Sequence, residues 1–323
     1  MRARVRVAGI CGTDLRHWQV HDPALTGTVM GHELAGELVE VGEAVEDVRP
    51  GDRVVVETVL GDDRCEWCRI QKYNLCPHLY DVRTKSVSRA YAEYVVGPAK
   101  KFYKLPDHVS FEEAALLDTF AVCLHAHHLS GVGINNKVAV IGAGPIGLGQ
   151  LMLAKASGAD VVVTDPVGHS LELARELGAD AVVQVDHEDP VQAVRDFGGG
   201  RGVDVAFECA GGKSMPVTLP QATRFARRGG KVVIVGGFEA GKTSIELEWQ
   251  RIQKSEIQLI PSASFSFWDI HPEQKTCLEL LASGKLEAKK LITHRFSLDE
   301  INQAFETAQN KTETGAIFVA ISI

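Results

Sequence analysis

The sequence lacks several features that would assign it to common functional classes. No apolar run approaches the roughly 20 residues needed to cross a bilayer. The start, Met-Arg-Ala-Arg-Val-Arg-Val, alternates in polarity and no apolar core of signal-peptide length follows, so we expect a cytoplasmic protein without a membrane partner. Basic residues number 34 against 42 acidic ones, giving a net charge of −8, which argues against a nucleic-acid partner.

Cysteine is also scarce, and its odd count disfavours a disulfide framework. Three of the seven cysteines cluster within Cys65–Cys76. In a chain of 323 residues without a secretory signal, such a cluster indicates metal binding in a reducing compartment. The length allows two domains, each with its own core.

Internal repeats are absent too, and the chain instead changes character twice. Residues 1–118 contain short β-type runs separated by turn signals, which predicts a mostly antiparallel β domain. Residues 119–262 alternate apolar strand-like runs with helical patterns, which predicts a doubly wound parallel sheet. The predicted strands are Lys137–Ile141, Asp160–Thr164, Ala181–Gln184, Val203–Glu208, Lys231–Val235 and Glu256–Ile260. Residues 263–323 are expected to pack back onto the first domain. The predicted fold class is therefore α/β, with a β-rich domain built from 1–118 and 263–323 and a second domain at 119–262.

A glycine-rich turn follows the first strand of the second domain. Gly142, Gly144 and Gly147 form the pattern G-x-G-x-x-G between the run Lys137–Ile141 and a predicted helix over Pro145–Ala156. The first glycine permits the tight turn, the second lets backbone approach a pyrophosphate, and the third lets helix and strand pack closely.

The helix start and the next strand end complete this predicted dinucleotide site. A pyrophosphate would meet the start of the helix, at Pro145 and Ile146, where the helix dipole and the free N–H groups after the proline favour anions. Asp165 lies 18 residues past Gly147, near the spacing of a ribose-binding acid. Its carboxylate would accept both ribose hydroxyls and repel a ribose phosphate, which favours NAD over NADP.

Two segments in the first domain carry metal-ligating side chains. Cys11 lies in Gly-Ile-Cys-Gly-Thr-Asp, and His32 lies in Gly-His-Glu. A thiolate and an imidazole in glycine-flanked segments form half of a metal site. A zinc ion beside a nicotinamide polarises an alcohol or carbonyl oxygen while a hydride is transferred.

These motifs, with the Cys65, Cys68 and Cys76 cluster and the nucleotide loop in this order, resemble the zinc-dependent medium-chain alcohol dehydrogenases. The polyol and threonine dehydrogenase branch is the nearest. The resemblance covers the chain from Arg4 onward, although the first strands of the family's β domain are missing. It implies a GroES-like catalytic domain and a Rossmann nucleotide-binding domain.

The resemblance also implies a catalytic zinc site. Cys11 and His32 match two of its ligands, and the third falls at Asp118, bound directly or through water, with Cys123 as the competing choice. Glu33 is expected close to the zinc, where it exchanges with the ligating water. Asp14 matches the acid that orients the histidine.

The family's proton relay starts at a hydroxyl that Thr13 matches. The relay often continues to a histidine five residues after the cysteine, but Arg16 occupies that position here and His17 follows it. The outer end of the relay is therefore open between these two residues.

A second zinc, with a structural role, is implied by the cysteine cluster. Cys65, Cys68 and Cys76 match three of its four ligands, and Asp62 stands where the family has the first cysteine. Carboxylate oxygens bind zinc at about 2.0–2.2 Å, so an Asp-Cys₃ site is possible. The alternative is a lobe without zinc, held by local packing.

The implied function is an NAD(P)-dependent zinc alcohol dehydrogenase. It would transfer a hydride between a secondary alcohol, such as a polyol or sugar, and preferably NAD. Two alternatives stay open: an L-threonine 3-dehydrogenase, and an NAD-binding homologue that is inactive because of its short amino terminus. The expected partners are a small alcohol or ketone and further copies of the chain in a homodimer or homotetramer.

Overall fold

The computed structural model describes residues 1–20, 27–79, 90–238 and 244–323. These residues form two units, the first from Met1–Ala121 and Ser264–Ile323 and the second from Val122–Ala263. Across the described residues, no helix combines the length and apolar character needed to span a membrane.

The strands and helices are numbered in chain order. The strands are β1 (Arg2–Gly9), β2 (Glu33–Glu40), β3 (Arg53–Val56), β4 (Tyr94–Val96), β5 (Phe102–Lys104), β6 (Lys137–Ile141), β7 (Asp160–Asp165), β8 (Ala181–Gln184), β9 (Val203–Glu208), β10 (Ala226–Ile234), β11 (Gln258–Pro261), β12 (Phe267–Trp268), β13 (His271–Pro272), β14 (Ile292–Ser297) and β15 (Phe318–Ser322). The α-helices are α1 (Gly12–Val20), α2 (Glu66–Arg69), α3 (Phe111–Ala115), α4 (Leu117–Ser130), α5 (Pro145–Ala156), α6 (Gly168–Glu176), α7 (Pro190–Phe197), α8 (Met215–Phe225), α9 (Trp249–Lys254), α10 (Glu273–Ala282), α11 (Ile301–Gln309) and α12 (Lys311–Thr314).

The first unit is built on a mostly antiparallel sheet. Its strand order is β14–β15–β1–β2–β3–β5, and β4 also pairs with β1. Only β14 and β15 run parallel among these described pairs. Along β1, Ala3 and Val5 are buried while Arg2 and Arg4 are exposed. This period of two places one face of the strand in the core and the other in solvent.

The second unit contains a parallel sheet in the order β11–β10–β9–β6–β7–β8. Its strands pair in parallel throughout. Val161, Val162 and Val163 are consecutive and fully buried, as expected when helices cover both faces of a sheet. The strand order reverses between β6 and β9, and nucleotides bind at such a reversal in doubly wound sheets. The predicted fold class, a β-rich domain with a doubly wound parallel sheet, is confirmed.

Candidate active site and metal centres

Cys11, His32 and Glu33 form one compact group in the first unit. Cys11 lies just beyond the end of β1, and Glu33 begins β2. The antiparallel pairing places Gly9 opposite Glu33, so the end of one strand meets the start of the next. One ligand atom from each of the three side chains lies within 4.8 Å of the others. Sheet pairing therefore brings sulfur, nitrogen and oxygen donors to a single point.

The buried carboxylate of Asp14 orients this group. Its Oδ1 lies 3.4 Å from Nδ1 of His32, and its Oδ2 accepts hydrogen bonds from the Cys11 N–H (3.1 Å) and the Tyr91 hydroxyl (3.0 Å). Although burial opposes a charged ring, the Asp14 carboxylate and the Cys11 thiol raise the pKa of His32 well above its usual value. Because Nδ1 is engaged by Asp14, Nε2 is the nitrogen left for a metal.

Glu33 has one carboxylate oxygen that no described residue satisfies. Its side chain is buried; Oε1 accepts a 2.5 Å hydrogen bond from the Thr119 hydroxyl, and Oε2 has no hydrogen-bond partner among the described residues. Burial raises the pKa of Glu33 to about 8, and the Asp118 carboxyl adds to this rise against the opposing effect of His32. A buried oxygen without a donor, beside a thiol and an imidazole, fits a cation such as zinc.

Asp62, Cys65, Cys68 and Cys76 form a second group, within a single stretch of chain. Their four ligand atoms lie within 4.8 Å of one another. The Asp62 Oδ1 accepts hydrogen bonds from the N–H groups of Arg64 (2.8 Å) and Cys65 (2.9 Å), and these bonds hold the pKa of Asp62 well below its usual range. Burial and the neighbouring Cys65 and Asp62 raise the pKa of Cys68 to about 12. A charged carboxylate among crowded thiols fits a bound zinc, which would favour the thiolate forms.

A buried hydrogen-bond network ties this second group to the sheet. Tyr73, between Cys68 and Cys76, donates its hydroxyl proton to Glu57 Oε1 at 2.5 Å. Lys101 Nζ lies 2.5 Å from the same oxygen, and Tyr103 donates to Glu57 Oε2 at 2.8 Å. The Lys101 ammonium also lies 3.5 Å from the centre of the Tyr73 ring. The Glu57 carboxylate is thus satisfied by three donors, and it positions the metal-ligating loop.

The glycine-rich turn of the second unit has the geometry of a nucleotide loop. Gly142 has φ +97°, which an L side chain rarely adopts, and a Cβ at Gly147 would overlap the Gly142 carbonyl. Apart from its chain neighbours, no atom of the described residues lies within 4 Å of the place where a Cβ of Gly144 would project, so the backbone there is open to a ligand. Pro145 is the first residue of α5, the position where its missing N–H costs nothing. Ile146 follows in the same turn and accepts the Cys123 thiol through its carbonyl at 3.2 Å.

Asp165 ends β7 and holds the loop in place. Its Oδ2 accepts the N–H of Ala143 at 2.7 Å, and its Oδ1 accepts the N–H of Val167 at 2.8 Å. The side chain is buried, yet each oxygen retains a second lone pair. The carboxylate can therefore accept further donors from a ribose.

Comparisons with known proteins identify the family. Residues 1–107 match a family model described as an alcohol dehydrogenase GroES-like domain, and residues 145–283 match one described as a zinc-binding dehydrogenase. The sorbitol dehydrogenase of Bacillus subtilis (strain 168) is 35% identical over 326 aligned residues, covering 98% of this chain and 88% of that protein. The chain belongs to the zinc-dependent medium-chain alcohol dehydrogenases. It is an oxidoreductase of the polyol branch, acting on a polyol or related alcohol.

Solved structures agree with this family. A 2R,3R-butanediol dehydrogenase from Bacillus subtilis superimposes with a TM-score of 0.85 at 30% identity, covering 100% of this chain and 92% of that chain. A protein of Sinorhizobium meliloti 1021 described as a zinc-binding dehydrogenase, solved with NADP bound, gives a TM-score of 0.89 at 33% identity over 100% of this chain and 92% of that one. The predictions of a zinc-binding dehydrogenase and a nicotinamide cofactor are confirmed at this level.

In this dehydrogenase, the two candidates for the third catalytic ligand occupy different surroundings. Asp118 is buried in the first turn of α4, close enough to Glu33 to raise its pKa, but it lies outside the group of atoms within 4.8 Å. Cys123 is buried further along α4, within the second unit, and burial raises its pKa strongly. A protonated thiol bonded to a carbonyl is a poor zinc ligand.

Thr13 contacts one of the two residues left open for the proton relay. Its Oγ1 accepts a 3.0 Å hydrogen bond from Nη2 of Arg16. An arginine remains protonated in proteins and cannot pass a proton onward. Its contact therefore orients the threonine hydroxyl and does not extend the relay.

Two further residues of the site were not predicted from the sequence. Tyr91 contacts Asp14, and Thr119 contacts Glu33, across 77 and 86 residues of chain respectively. Thr119 directly follows Asp118, which was the only sequence signal near it. Nothing in the sequence around Tyr91 indicated a partner for its hydroxyl.

Proposed function

We propose that this dehydrogenase oxidises a secondary alcohol of a polyol with NAD, using a zinc ion held by Cys11, His32 and a carboxylate. The observation that carries the proposal is the unsatisfied buried Oε2 of Glu33, placed with the thiol and imidazole within 4.8 Å. The zinc would polarise the alcohol oxygen, and the nicotinamide would accept the hydride.

The carboxylate ligand is proposed to be Asp118, directly or through a water, and Glu33 is proposed to exchange with the ligating water. Supporting this, Asp118 is buried and electrostatically coupled to Glu33. Zinc content per chain in Asp118→Ala and Glu33→Ala separates the two roles. Loss of the catalytic zinc in Asp118→Ala alone would support the proposal; loss in Glu33→Ala alone would make Glu33 the ligand.

Thr13 is proposed to receive the proton that the alcohol loses. Its hydroxyl lies two residues after Cys11, and the Arg16 guanidinium fixes its oxygen by donating to it. Because Arg16 cannot accept a proton, His17 is the proposed outer end of the relay. A Thr13→Val variant would keep its zinc and lose turnover, whereas a His17→Gln variant would alter the pH profile of kcat.

NAD is proposed as the preferred cofactor. The Asp165 carboxylate, at the end of β7, would accept ribose hydroxyls and repel a ribose phosphate. The Sinorhizobium structure carries NADP, so the choice needs a direct test in this chain. The ratio of kcat/KM for NAD to that for NADP should exceed one and should fall in Asp165→Ala. A wild-type preference for NADP would contradict the proposal.

A substrate panel tests the activity itself. Sorbitol, L-idonate, 2,3-butanediol and L-threonine with NAD, read by absorbance beside a zinc count, distinguish the polyol activity from an L-threonine 3-dehydrogenase. The threonine alternative is kept because the segment around Asp118 resembles that branch. Cofactor binding without turnover on any of these alcohols would favour an inactive homologue.

The setting of the enzyme is proposed to be the cytoplasm, as a homodimer or homotetramer. All seven cysteines are free, which suits a reducing compartment. The family resemblance is the support for self-association. Light scattering on the purified protein would give the mass of the assembly, and a monomer at working concentration would contradict this part of the proposal.

A further inference from the structure

A cationic cavity lies at the amino-terminal ends of the central strands of the second unit. Its volume is about 740 Å³, within the range of pockets that bind small ligands. The cationic side chains lining it are Lys137, Arg195, Arg201, Arg227, Arg228 and Arg251. Lys137 begins β6, and the nucleotide loop follows the opposite end of that strand. The cavity is therefore separate from the proposed cofactor site, which lies at the carboxyl ends of the strands.

Two of the arginines have their donors free for a ligand. Arg195 lies in the last turn of α7, and Arg201 lies in the turn before β9. Both side chains are exposed, and neither guanidinium forms a hydrogen bond or an ion pair with a described residue. A guanidinium carries five N–H donors in a planar fork that matches phosphate oxygens. These side chains can therefore bind an anion without giving up an existing contact.

Two others are held in position by the ends of helices. Arg251 Nη2 donates to the carbonyl of Thr223 at 3.0 Å and to that of Ala226 at 3.2 Å, at the end of α8. Arg228 Nη1 donates to the Lys254 carbonyl at 3.0 Å, at the end of α9. Each arginine is thus fixed through one nitrogen, and the remaining N–H groups stay available. Ordering these side chains in advance reduces the entropy lost when a ligand binds.

Most of the positive charges around the cavity have no carboxylate partner among the described residues, although Lys137 Nζ pairs with Asp160 Oδ2 at 2.7 Å. Arg227 Nε pairs with Asp204 Oδ1 at 2.6 Å, and Asp204 is the one carboxylate among the described lining residues. The other four arginines form no ion pair with a described residue. Burial lowers the pKa of Arg251, and the Arg195 guanidinium lowers it further against the opposing effect of Glu248. An anionic ligand would relieve this repulsion.

We propose that this cavity binds a small organic molecule carrying two phosphate groups, through Arg195, Arg201, Arg228 and Arg251. A phosphate group carries about −1.5 to −2 charges near pH 7, so two of them balance four guanidinium groups. The volume suits a metabolite-sized ligand better than one phosphate ion. Arginine forks supply the paired, charge-assisted hydrogen bonds that phosphate oxygens accept.

Calorimetric titration with 2,3-bisphosphoglycerate tests the proposal. The protein is zinc-loaded and saturated with NAD, so that the nucleotide loop is occupied, and ionic strength is held constant because salt screens exposed charges. We expect one saturable site per chain and binding at least tenfold tighter than that of inorganic phosphate. Arg195→Gln with Arg201→Gln should weaken the bisphosphate at least tenfold while the thermal midpoint stays unchanged.

A matched double variant, Arg175→Gln with Lys275→Gln, removes the same charge from exposed positions outside the cavity. It should change the bisphosphate affinity less than twofold. Equal losses in the two double variants would overturn the proposal, as would an absence of saturable binding or displacement of the bisphosphate by NAD. A polyglutamate peptide that binds at this cavity and resists displacement by the bisphosphate would overturn it in favour of an acidic protein partner.

Discussion

The two candidate metal-binding groups of the first unit differ in how the chain builds them. The closed group is formed by Asp62, Cys65, Cys68 and Cys76, and the open group is formed by Cys11, His32 and Glu33. Asp62, Cys65, Cys68 and Cys76 come from one short stretch and offer four donors, a full tetrahedral set. Cys11, His32 and Glu33 come together because two strands pair, and they offer three donors. A closed set can only stabilise, whereas three ligands leave a position for water or substrate. The four donors of the closed group can therefore be recognised from local sequence, while the grouping of the three donors in the open group depends on the fold.

The largest expected effect comes from removing the sulfur ligand of the open group. Cys11→Ala should reduce turnover by about three orders of magnitude or more, because the zinc that polarises the alcohol is lost. Metal analysis should show one zinc fewer per chain, with the closed group still loaded. A Cys277→Ala variant, which removes a buried thiol outside both groups, is the control. Normal turnover with a full zinc complement in Cys11→Ala would remove the open group from the active site.

A weaker effect is expected from replacing Asp14, the carboxylate that contacts His32. Asp14→Asn keeps the side-chain shape but removes the negative charge. One carboxylate oxygen contacts His32, and the other accepts the Cys11 N–H. Zinc affinity at the open group should fall by about 10- to 100-fold, measured by competition with a chelator. The exposed Asp47→Asn serves as the control and should leave the affinity unchanged. An unchanged affinity in Asp14→Asn would show that the histidine needs no such support.

Removing one ligand of the closed group should lower the stability of the protein more than it lowers turnover. Cys68→Ala should lower the free energy of unfolding by about 3 kcal/mol, because a bound metal that folds with its loop is lost. Thermal or denaturant unfolding gives this value, and turnover at low temperature should remain close to that of the unmodified enzyme. A loss of turnover with no loss of stability would reverse the roles assigned to the two groups.

The smallest effect is expected when the unusual carboxylate is replaced by the more common thiol. Asp62→Cys should retain zinc and change the free energy of unfolding by less than ~1 kcal/mol, because both side chains ligate zinc. Asp62→Ala should lose the ion and unfold at a lower temperature. If Asp62→Ala holds zinc as firmly as the original residue, the closed group has only three ligands.

Much of the second unit could be predicted from the pattern of residues alone. The runs Lys137–Ile141, Ala181–Gln184 and Val203–Glu208 coincide with strands, because buried parallel strands appear as short apolar segments. Strand β10 was predicted from Lys231 but begins at Ala226, and its pairing with β9 is irregular between these two residues. The intervening Arg-Arg-Gly-Gly has no strand-like pattern, so backbone pairing alone extends the strand. The same irregular segment supplies two arginines to the cationic cavity, which no sequence motif indicated.

In the first unit, the sequence indicated donors but not their neighbours. Cys11 and His32 lie in short glycine-flanked segments that suggest ligands, and their assignment as zinc ligands stays a prediction. Helix α1 was not predicted, because its residues Gly12–Val20 are largely polar and lack an apolar periodicity. The Thr119 hydroxyl that satisfies Glu33 comes from a distant segment, and such contacts depend on tertiary packing. Residue spacing cannot reveal them.

The Asp165 side chain has a practical consequence for anyone who wishes to retune cofactor choice. Its two oxygens accept hydrogen bonds from the amide N–H groups of Ala143, in the glycine-rich turn, and Val167, just after β7. Exchanging it for a small residue to admit an extra phosphate would leave these two amide N–H groups without acceptors. Each would cost about 1–3 kcal/mol if no water replaced the lost oxygen. A successful redesign must therefore supply new acceptors for both amides as well as a new cation for the added phosphate.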